Sequence, residues 1–292
     1  MFKQLIISMR PQQWYKNLIL FVGILFSLNL FNFSMWLEVI PAFLIFCMVS
    51  GGEYIINDII DREEDNIHPV KSNRPIASGD LSIFYASTSA VLLITIGLLG
   101  AWFLNILFFV SVITYLILIL AYSMILKHFV LVDVLTISSG FVIRAIAGCV
   151  VIGAIISPWL ILCAFFLALF LALGKRRHEL VLMGSESKNH REILDGCSAE
   201  MIDYMVIIVT AVLIMSYSLY TFLMDNQIMM VTIPFVVYGI FRCHYLIHKK
   251  NYGGESEMLF KDRGLLISLS LWLLIVILVL YITKHYTPFG EL

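Results

Sequence analysis

Asn57-Asp58-Ile59-Ile60-Asp61-Arg62-Glu63-Glu64-Asp65 is the stretch on which the reading of this chain turns. It closes a run of about twenty mostly apolar residues that begins near Trp36, the length of a bilayer-spanning helix. Charge beside hydrocarbon is costly, so carboxylates at such a helix end imply a use. On a continuous helix Asp58, Asp61 and Asp65 stand at i, i+3 and i+7 and share one face, and Asn57 adds a neutral oxygen. Hard oxygen ligands in that pattern suit Mg2+, which takes one or two carboxylates and fills its shell with water and substrate phosphates. The expectation is a metal–diphosphate site at a membrane surface. The plainer alternative is a solvated helix end that happens to be acidic.

The rest of the chain agrees with a membrane setting. Its 292 residues are 61% hydrophobic and 13% charged, with a mean hydropathy of +0.95. A soluble domain does not have that composition, and the apolar runs extend along the whole length, so one integral membrane domain over 1–292 is expected. The net charge of −1 gives no reason to expect nucleic acid. The five cysteines (Cys47, Cys149, Cys163, Cys197 and Cys243) show no CxxC spacing, which argues against a disulfide framework or a zinc site. Residues Met1 to Gln13 are too polar, and too interrupted by Pro11, for a cleavable signal.

Hydropathy outlines an all-α bundle of nine transmembrane helices. They run over Asn17–Phe33, Trp36–Asp58, Ser82–Phe103, Ile106–Ile125, Leu131–Ile152, Pro158–Leu173, Tyr204–Leu223, Met229–His248 and Gly264–Thr283. The basic residues support this number. Lys3, Arg10 and Lys16 precede the first helix; Arg62, Lys71 and Arg74 follow the second; Lys127 follows the fourth. Lys175, Arg176, Arg177, Lys188 and Arg191 follow the sixth, and Arg242, Lys249, Lys250, Lys261 and Arg263 fall at or after the end of the eighth. Nine helices put all of these on one side, leaving only Arg144 inside a helix and Lys284 opposite. The positive-inside rule makes that side cytoplasmic, with the N-terminus inside and the C-terminus outside.

The polar residues on that side suggest a central cavity open to the cytoplasm. Lys71 and Arg74 lie in a loop stiffened by Pro69 and Pro75 and are suited to phosphate, or are ordinary orientation charge. Lys16 and Asn17 open the first helix where an anion is favoured. Tyr122, Ser123 and Lys127 end the fourth. Gly174-Lys175-Arg176-Arg177-His178-Glu179 follows the sixth, where Lys175, Arg176 and Glu179 make a mixed site for sugar hydroxyls and phosphates. Arg144 lies about three turns into the fifth helix, eleven residues after Asp133 and on the same face. A charge so deep needs a partner or a wet cavity: a structural ion pair is one reading, contact with a ligand or lipid phosphate the other. His244 and His248, at i and i+4, are the only histidines with even a weak metal spacing, and there is no Walker or Rossmann glycine motif.

The motif Asn57-Asp58-x-x-Asp61-x-x-x-Asp65 after the second of nine helices resembles the first aspartate-rich motif of the UbiA superfamily of intramembrane prenyltransferases. That resemblance implies a nine-helix bundle around a cavity in which Mg2+ on the aspartates binds a diphosphate. Members usually carry a second aspartate-rich motif after helix six. Here Gly174–Glu179 stands in its place, and Asp195 and Asp203 form no DxxxD. The departure matches one branch, the polyprenyl-phosphate phosphoribosyltransferases. Arg10-Pro11-x-Gln13-Trp14-x-Lys16-Asn17, the stretch from Asn57 to Gly79, Leu120–Ser123 with Lys127-His128, Arg144–Gly148 and Gly174-Lys175-Arg176 all resemble that branch.

The resemblance implies transfer of 5-phosphoribose from phosphoribosyl diphosphate to a polyprenyl phosphate, with release of diphosphate. Asp58, Asp61 and Asp65 would hold Mg2+ and act catalytically, with Glu179 near the ribose. Lys16, Asn17, Asn57, Lys71, Arg74, Tyr122, Ser123, Lys127, Arg144, Lys175 and Arg176 would bind the substrates. The partners are the donor, the lipid phosphate and the bilayer, not nucleic acid, and a homo-oligomer is left open. The competing enzyme is a transferase that attaches an isoprenoid to an aromatic acceptor. The competing non-enzyme is a transporter or lipid-binding protein, against which stand the lack of a clear repeat and the gathering of polar groups at one face.

Overall fold

The structure is a computed structural model that describes residues 1–183, 198–224, 227–249 and 261–282. Lys188, Arg191, Lys250, Lys284, Asp195, Cys197 and the C-terminal end lie outside the described residues. Those described form helices and the turns between them, with no strand among them. Eight of the helices are long and apolar enough to cross a membrane.

The chain divides into two compact units. The first comprises Met1–Lys127 and Ser139–Ile156. It opens with α1 (Phe2–Ser8), a 3-10 helix over Pro11–Phe21 and α2 (Val22–Phe26). This corrects the expected first span, which is not one continuous α-helix. Pro11 disfavours helical geometry at Arg10, which adopts a left-handed φ of 51° instead. The Pro11–Phe26 stretch still reaches about 30 Å, because 3-10 geometry rises ~2.0 Å per residue against ~1.5 Å in an α-helix. Then come α3 (Phe33–Ile60), α4 (Arg62–Ile67), α5 (Ile83–Leu104) and α6 (Ile106–Met124).

Capping accounts for several of these boundaries. Asn32, Ser82 and Asn105 each accept hydrogen bonds from backbone N–H groups in the first turn of α3, α5 and α6. Between α3 and α5 small residues set the distance. A Cβ on Gly97 would lie 2.6 Å from a Val49 methyl, and one on Gly52 2.8 Å from the Ile94 side chain. Phe46, Phe108 and Tyr115 are fully buried at the centre of this unit, with Leu20, Ile24 and Val39 around them.

The second unit comprises His128–Ser138 and Ser157–Leu292. Its helices are α8 (Pro158–Met183), α9 (Ala199–Leu223), α10 (Ile233–Lys249) and α11 (Arg263–Ile282). Helix α7 (Val132–Val151) gives its first turns to this unit and the remainder to the first. Phe170 and Leu173 of α8 pack with Ile202 and Val206 of α9 in its core. Helix α8 runs ten residues past the expected end at Leu173, so Gly174–Glu179 is helical rather than a loop. Buried Gly174 allows this: a Cβ there would lie 2.7 Å from Ile247 of α10.

Candidate active site

Of the three carboxylates expected on one helical face, Asp58 and Asp65 come together and Asp61 takes other partners. Helix α3 ends at Ile60, Asp61 turns the chain with φ −85° and ψ 6°, and Asp65 belongs to α4. The turn separates the carboxylates into two sets. Asp58 and Asp65 meet at Arg74, whose Nη1 donates to Asp58 Oδ1 at 3.1 Å and to Asp65 Oδ2 at 2.5 Å. Asp61 has other partners, accepting from Lys127 Nζ and, at 3.0 Å, from Asn57 Nδ2. Arg10 also donates to Asp58, and Lys71 Nζ stands 3.9 Å from Asp65. The solvated-end alternative fails here: Asp58 and Asp65 are each 2% exposed, whereas Arg62, Glu63 and Glu64 of the same stretch are exposed.

Loop chemistry places the cations. Arg74 is extended (φ −65°, ψ 141°), as a residue before proline prefers, and Ile76 and Leu81 behind it are buried with Ile55, Ala86 and Ala90. His68 Nδ1 accepts from the backbone N–H groups of Val70 and Lys71 and tightens the turn that carries Lys71. Arg10, in its left-handed conformation, lies with its guanidinium carbon 5.0 Å from the Tyr54 ring centroid. Strain of this kind survives where the surroundings over-determine it, and it gathers at functional sites.

Among the described residues no group of three or more His, Cys, Asp or Glu side chains is preassembled as a metal cluster. The donor chemistry nevertheless fits Mg2+. Two buried carboxylates converge on one cationic nitrogen, which marks a point where positive charge is held from two sides, and Mg2+ needs only one or two protein carboxylates.

The other expected residues divide. Lys127 and Ser123 are buried, and Ser123 Oγ has no hydrogen-bond partner among the described residues. Lys16 and Tyr122 are half-buried. Asn17, expected at a phosphate, is 1% exposed, and its amide serves Arg144, Ser50 and Cys47. Arg144 reaches other elements through neutral groups. Its Nε donates to Asn17 Oδ1 at 2.8 Å and its Nη2 to the Tyr115 hydroxyl at 2.6 Å. Asp133 pairs with Arg176 within the second unit, and Arg176 also donates to Glu179 at 2.6 Å. Arg177 grips Asp203 with bonds of 2.5 and 3.3 Å, while Lys175 is exposed.

Sequence reasoning missed Arg10 as a site residue, and missed Glu53 and Tyr115. Glu53 had a signal: a carboxylate inside an apolar run long enough to span a bilayer. Arg10 had only its place in a motif, because the backbone reversal at Pro11 that points it at Asp58 is tertiary.

Comparison with known proteins follows the same lines. The sequence profile of the UbiA prenyltransferase family matches residues 18–269. A decaprenyl-phosphate phosphoribosyltransferase of Mycolicibacterium smegmatis is 32% identical, over 92% of this chain and 90% of its own length. That of Corynebacterium glutamicum is 31% identical, over 96% and 87%. Among solved structures, a UbiA homolog from Archaeoglobus fulgidus bound to GPP and Mg2+ has the same fold, with a TM-score of 0.73 and 20% identity over 94% of this chain and 99% of that one. With helices that can span a bilayer, a buried acidic motif and a family profile that covers most of its length, this chain is an integral membrane protein that belongs to the UbiA prenyltransferase family.

Proposed function

We propose that the protein transfers 5-phosphoribose from phosphoribosyl diphosphate to a polyprenyl phosphate and releases diphosphate. The observation that carries this is the charge balance at the acidic motif. Four cations, Arg10, Lys71, Arg74 and Lys127, surround three carboxylates, Asp58, Asp61 and Asp65. A simple metal site has no need of that excess, whereas a polyanionic diphosphate does. The relatives named as decaprenyl-phosphate phosphoribosyltransferases support the choice of donor and acceptor. So does the sequence after helix six, where Gly174–Glu179 carries Lys175, Arg176 and Arg177 in the place of a second aspartate-rich motif.

Asp58, Asp61 and Asp65 would hold Mg2+, which when bound draws off charge from the leaving diphosphate. Arg10, Arg74, Lys71 and Lys127 then bind the donor phosphates, Arg by its fork and Lys as a point charge. The nucleophile is a lipid phosphate oxygen that is already anionic at neutral pH, so no strong general base is called for. The bond from ribose C1 to the diphosphate oxygen breaks, and a bond from C1 to the lipid phosphate oxygen forms. Catalysis is orientation and charge stabilisation. Glu179, and the roles of Lys16, Lys175 and Arg176 toward the donor, rest on the resemblance to the family. The soluble donor enters from the cytoplasmic face of a bacterial-type plasma membrane, on the side of the N-terminus and the basic loops.

Purified protein in lipid, given phosphoribosyl diphosphate labelled in the ribose and a polyprenyl phosphate, is expected to move label into lipid only when Mg2+ is present. Label that moves instead from a prenyl diphosphate into an aromatic acceptor would replace this reading with the other transferase. Unaltered substrates after long incubation would point to a non-enzymatic role.

A further inference from the structure

Five residues before Asp58, α3 carries a carboxylate that the acidic site does not use. Glu53 is 5% exposed and accepts from the Tyr115 hydroxyl at 3.1 Å. The same hydroxyl accepts from Arg144 Nη2 at 2.6 Å. Arg144 Nε donates to Asn17, and the Asn17 amide donates to Ser50 of α3 at 3.3 Å. The bonds therefore close into a ring that returns to α3 within one turn of its start. It runs from Glu53 on α3 to Tyr115 on α6, Arg144 on α7 and Asn17 on the 3-10 helix. Every member is 5% exposed or less. Arg144 also lies over two aromatic rings, its guanidinium carbon 4.4 Å from the Tyr115 ring centroid and 5.2 Å from that of Phe141.

The elements joined by this ring are those that carry the acidic site. The 3-10 helix begins beside Arg10, α3 ends at the aspartates, and Lys127 follows α6. We propose that Arg144 is a positioning residue: with Glu53, Tyr115 and Asn17 it sets the 3-10 helix, α3 and α6 in the register that brings Arg10 to Asp58 and Lys127 to Asp61. The proposal rests on the reading of those aspartates as the seat of a metal-bound diphosphate. Leverage makes the ring consequential. Lys127 lies twelve residues beyond Tyr115, about 18 Å at helical rise, so a tilt of about 5° at the ring moves that end by about 1.5 Å. A displacement of that size breaks a hydrogen bond. Apolar side chains could fill the same volume, but they would not specify one register, which is the best-attested use of buried polar groups.

The test is Tyr115→Phe, which removes only the hydroxyl shared by Arg144 and Glu53, in purified full-length protein reconstituted in lipid. Its affinity for inorganic diphosphate with Mg2+, read by titration calorimetry, is expected to fall about tenfold. Arg10→Gln is expected to weaken the same binding, and the double variant to be no weaker than the worse single one, because both act on one contact. A merely structural ring would lower the thermal midpoint and leave the affinity of the folded protein alone. Folded Tyr115→Phe with wild-type affinity, or losses that add in full, would overturn the proposal. Should Tyr115→Phe not fold, Ser50→Ala loosens the ring at Asn17 and is held to the same comparison. Wild-type protein that binds the probe yet transfers no phosphoribose would strike the donor assignment and leave this inference standing; wild-type protein that binds no probe removes both.

Discussion

At the scale of single residues, Arg74 has the sharpest consequence. Its Nη1 bridges Asp58 and Asp65, so it competes with any cation for the same oxygens, and in the proposed reaction it is also a partner of the donor phosphates. Arg74→Gln is therefore expected to act in opposite directions. Affinity for Mn2+ alone, followed by its electron paramagnetic resonance signal, should rise several-fold, while affinity for inorganic diphosphate with Mg2+ should drop about tenfold or more. Weaker Mn2+ binding in that variant would mean that Arg74 organises the carboxylates rather than competing for them. Asp58→Asn and Asp61→Asn are isosteric and should insert and fold, yet each should lower turnover by about a hundredfold or more. Wild-type turnover in either purified variant would end the metal-site assignment. The residue types of this site were legible in the sequence, since acids and bases beside a membrane span stand out. Their pairing was not. Nothing in a linear motif says that the chain turns at Asp61, and that turn decides which carboxylate meets which cation.

At the scale of elements, the 3-10 helix and α7 meet backbone to backbone at Gly148. A Cβ on Gly148 would stand 2.1 Å from the Leu20 carbonyl oxygen and 2.6 Å from its Cα, and one on Gly23 would meet the Gly148 backbone at 3.0 Å. Backbone faces backbone here, and Arg144 reaches Asn17 one turn earlier on α7. Gly148→Ala is expected to destabilise by about 1–3 kcal/mol or more, because the obstructing atoms are main chain and cannot rotate away. Thermal unfolding in lipid nanodiscs is the measurement, and a midpoint equal to wild type would show that α7 can withdraw freely. Seven of the nine expected helices fall on described helices with bounds close to those read from hydropathy, because a long apolar run in lipid has few choices but to be helical. The exceptions follow from packing. The first became a 3-10 helix against α7, and the sixth ran on through Gly174 because a residue without a side chain fits against Ile247.

At the scale of the whole molecule, the distribution of Lys and Arg sets an orientation that can be measured. Cysteines introduced at Ser72 and at Ser157, in a background lacking the native cysteines, should label from opposite sides of a sealed vesicle, Ser72→Cys from the cytoplasmic side. Both labelling from one side would overturn the nine-segment arrangement. A membrane setting and a helical fold could be read directly from the amino-acid order, because composition and hydropathy are sums over residues, and the acidic motif at Asp58, Asp61 and Asp65 stood out because carboxylates are rare at the end of an apolar span. Packing alone fixes that Arg10 and Arg74 share Asp58, that Asp61 pairs with Lys127, that Asp133 pairs with Arg176, and that Arg144 reaches Glu53 through a tyrosine hydroxyl. Each of these joins residues far apart in the chain, and a buried charge takes the partner that packing brings within reach, not the one that helical periodicity places on its own face.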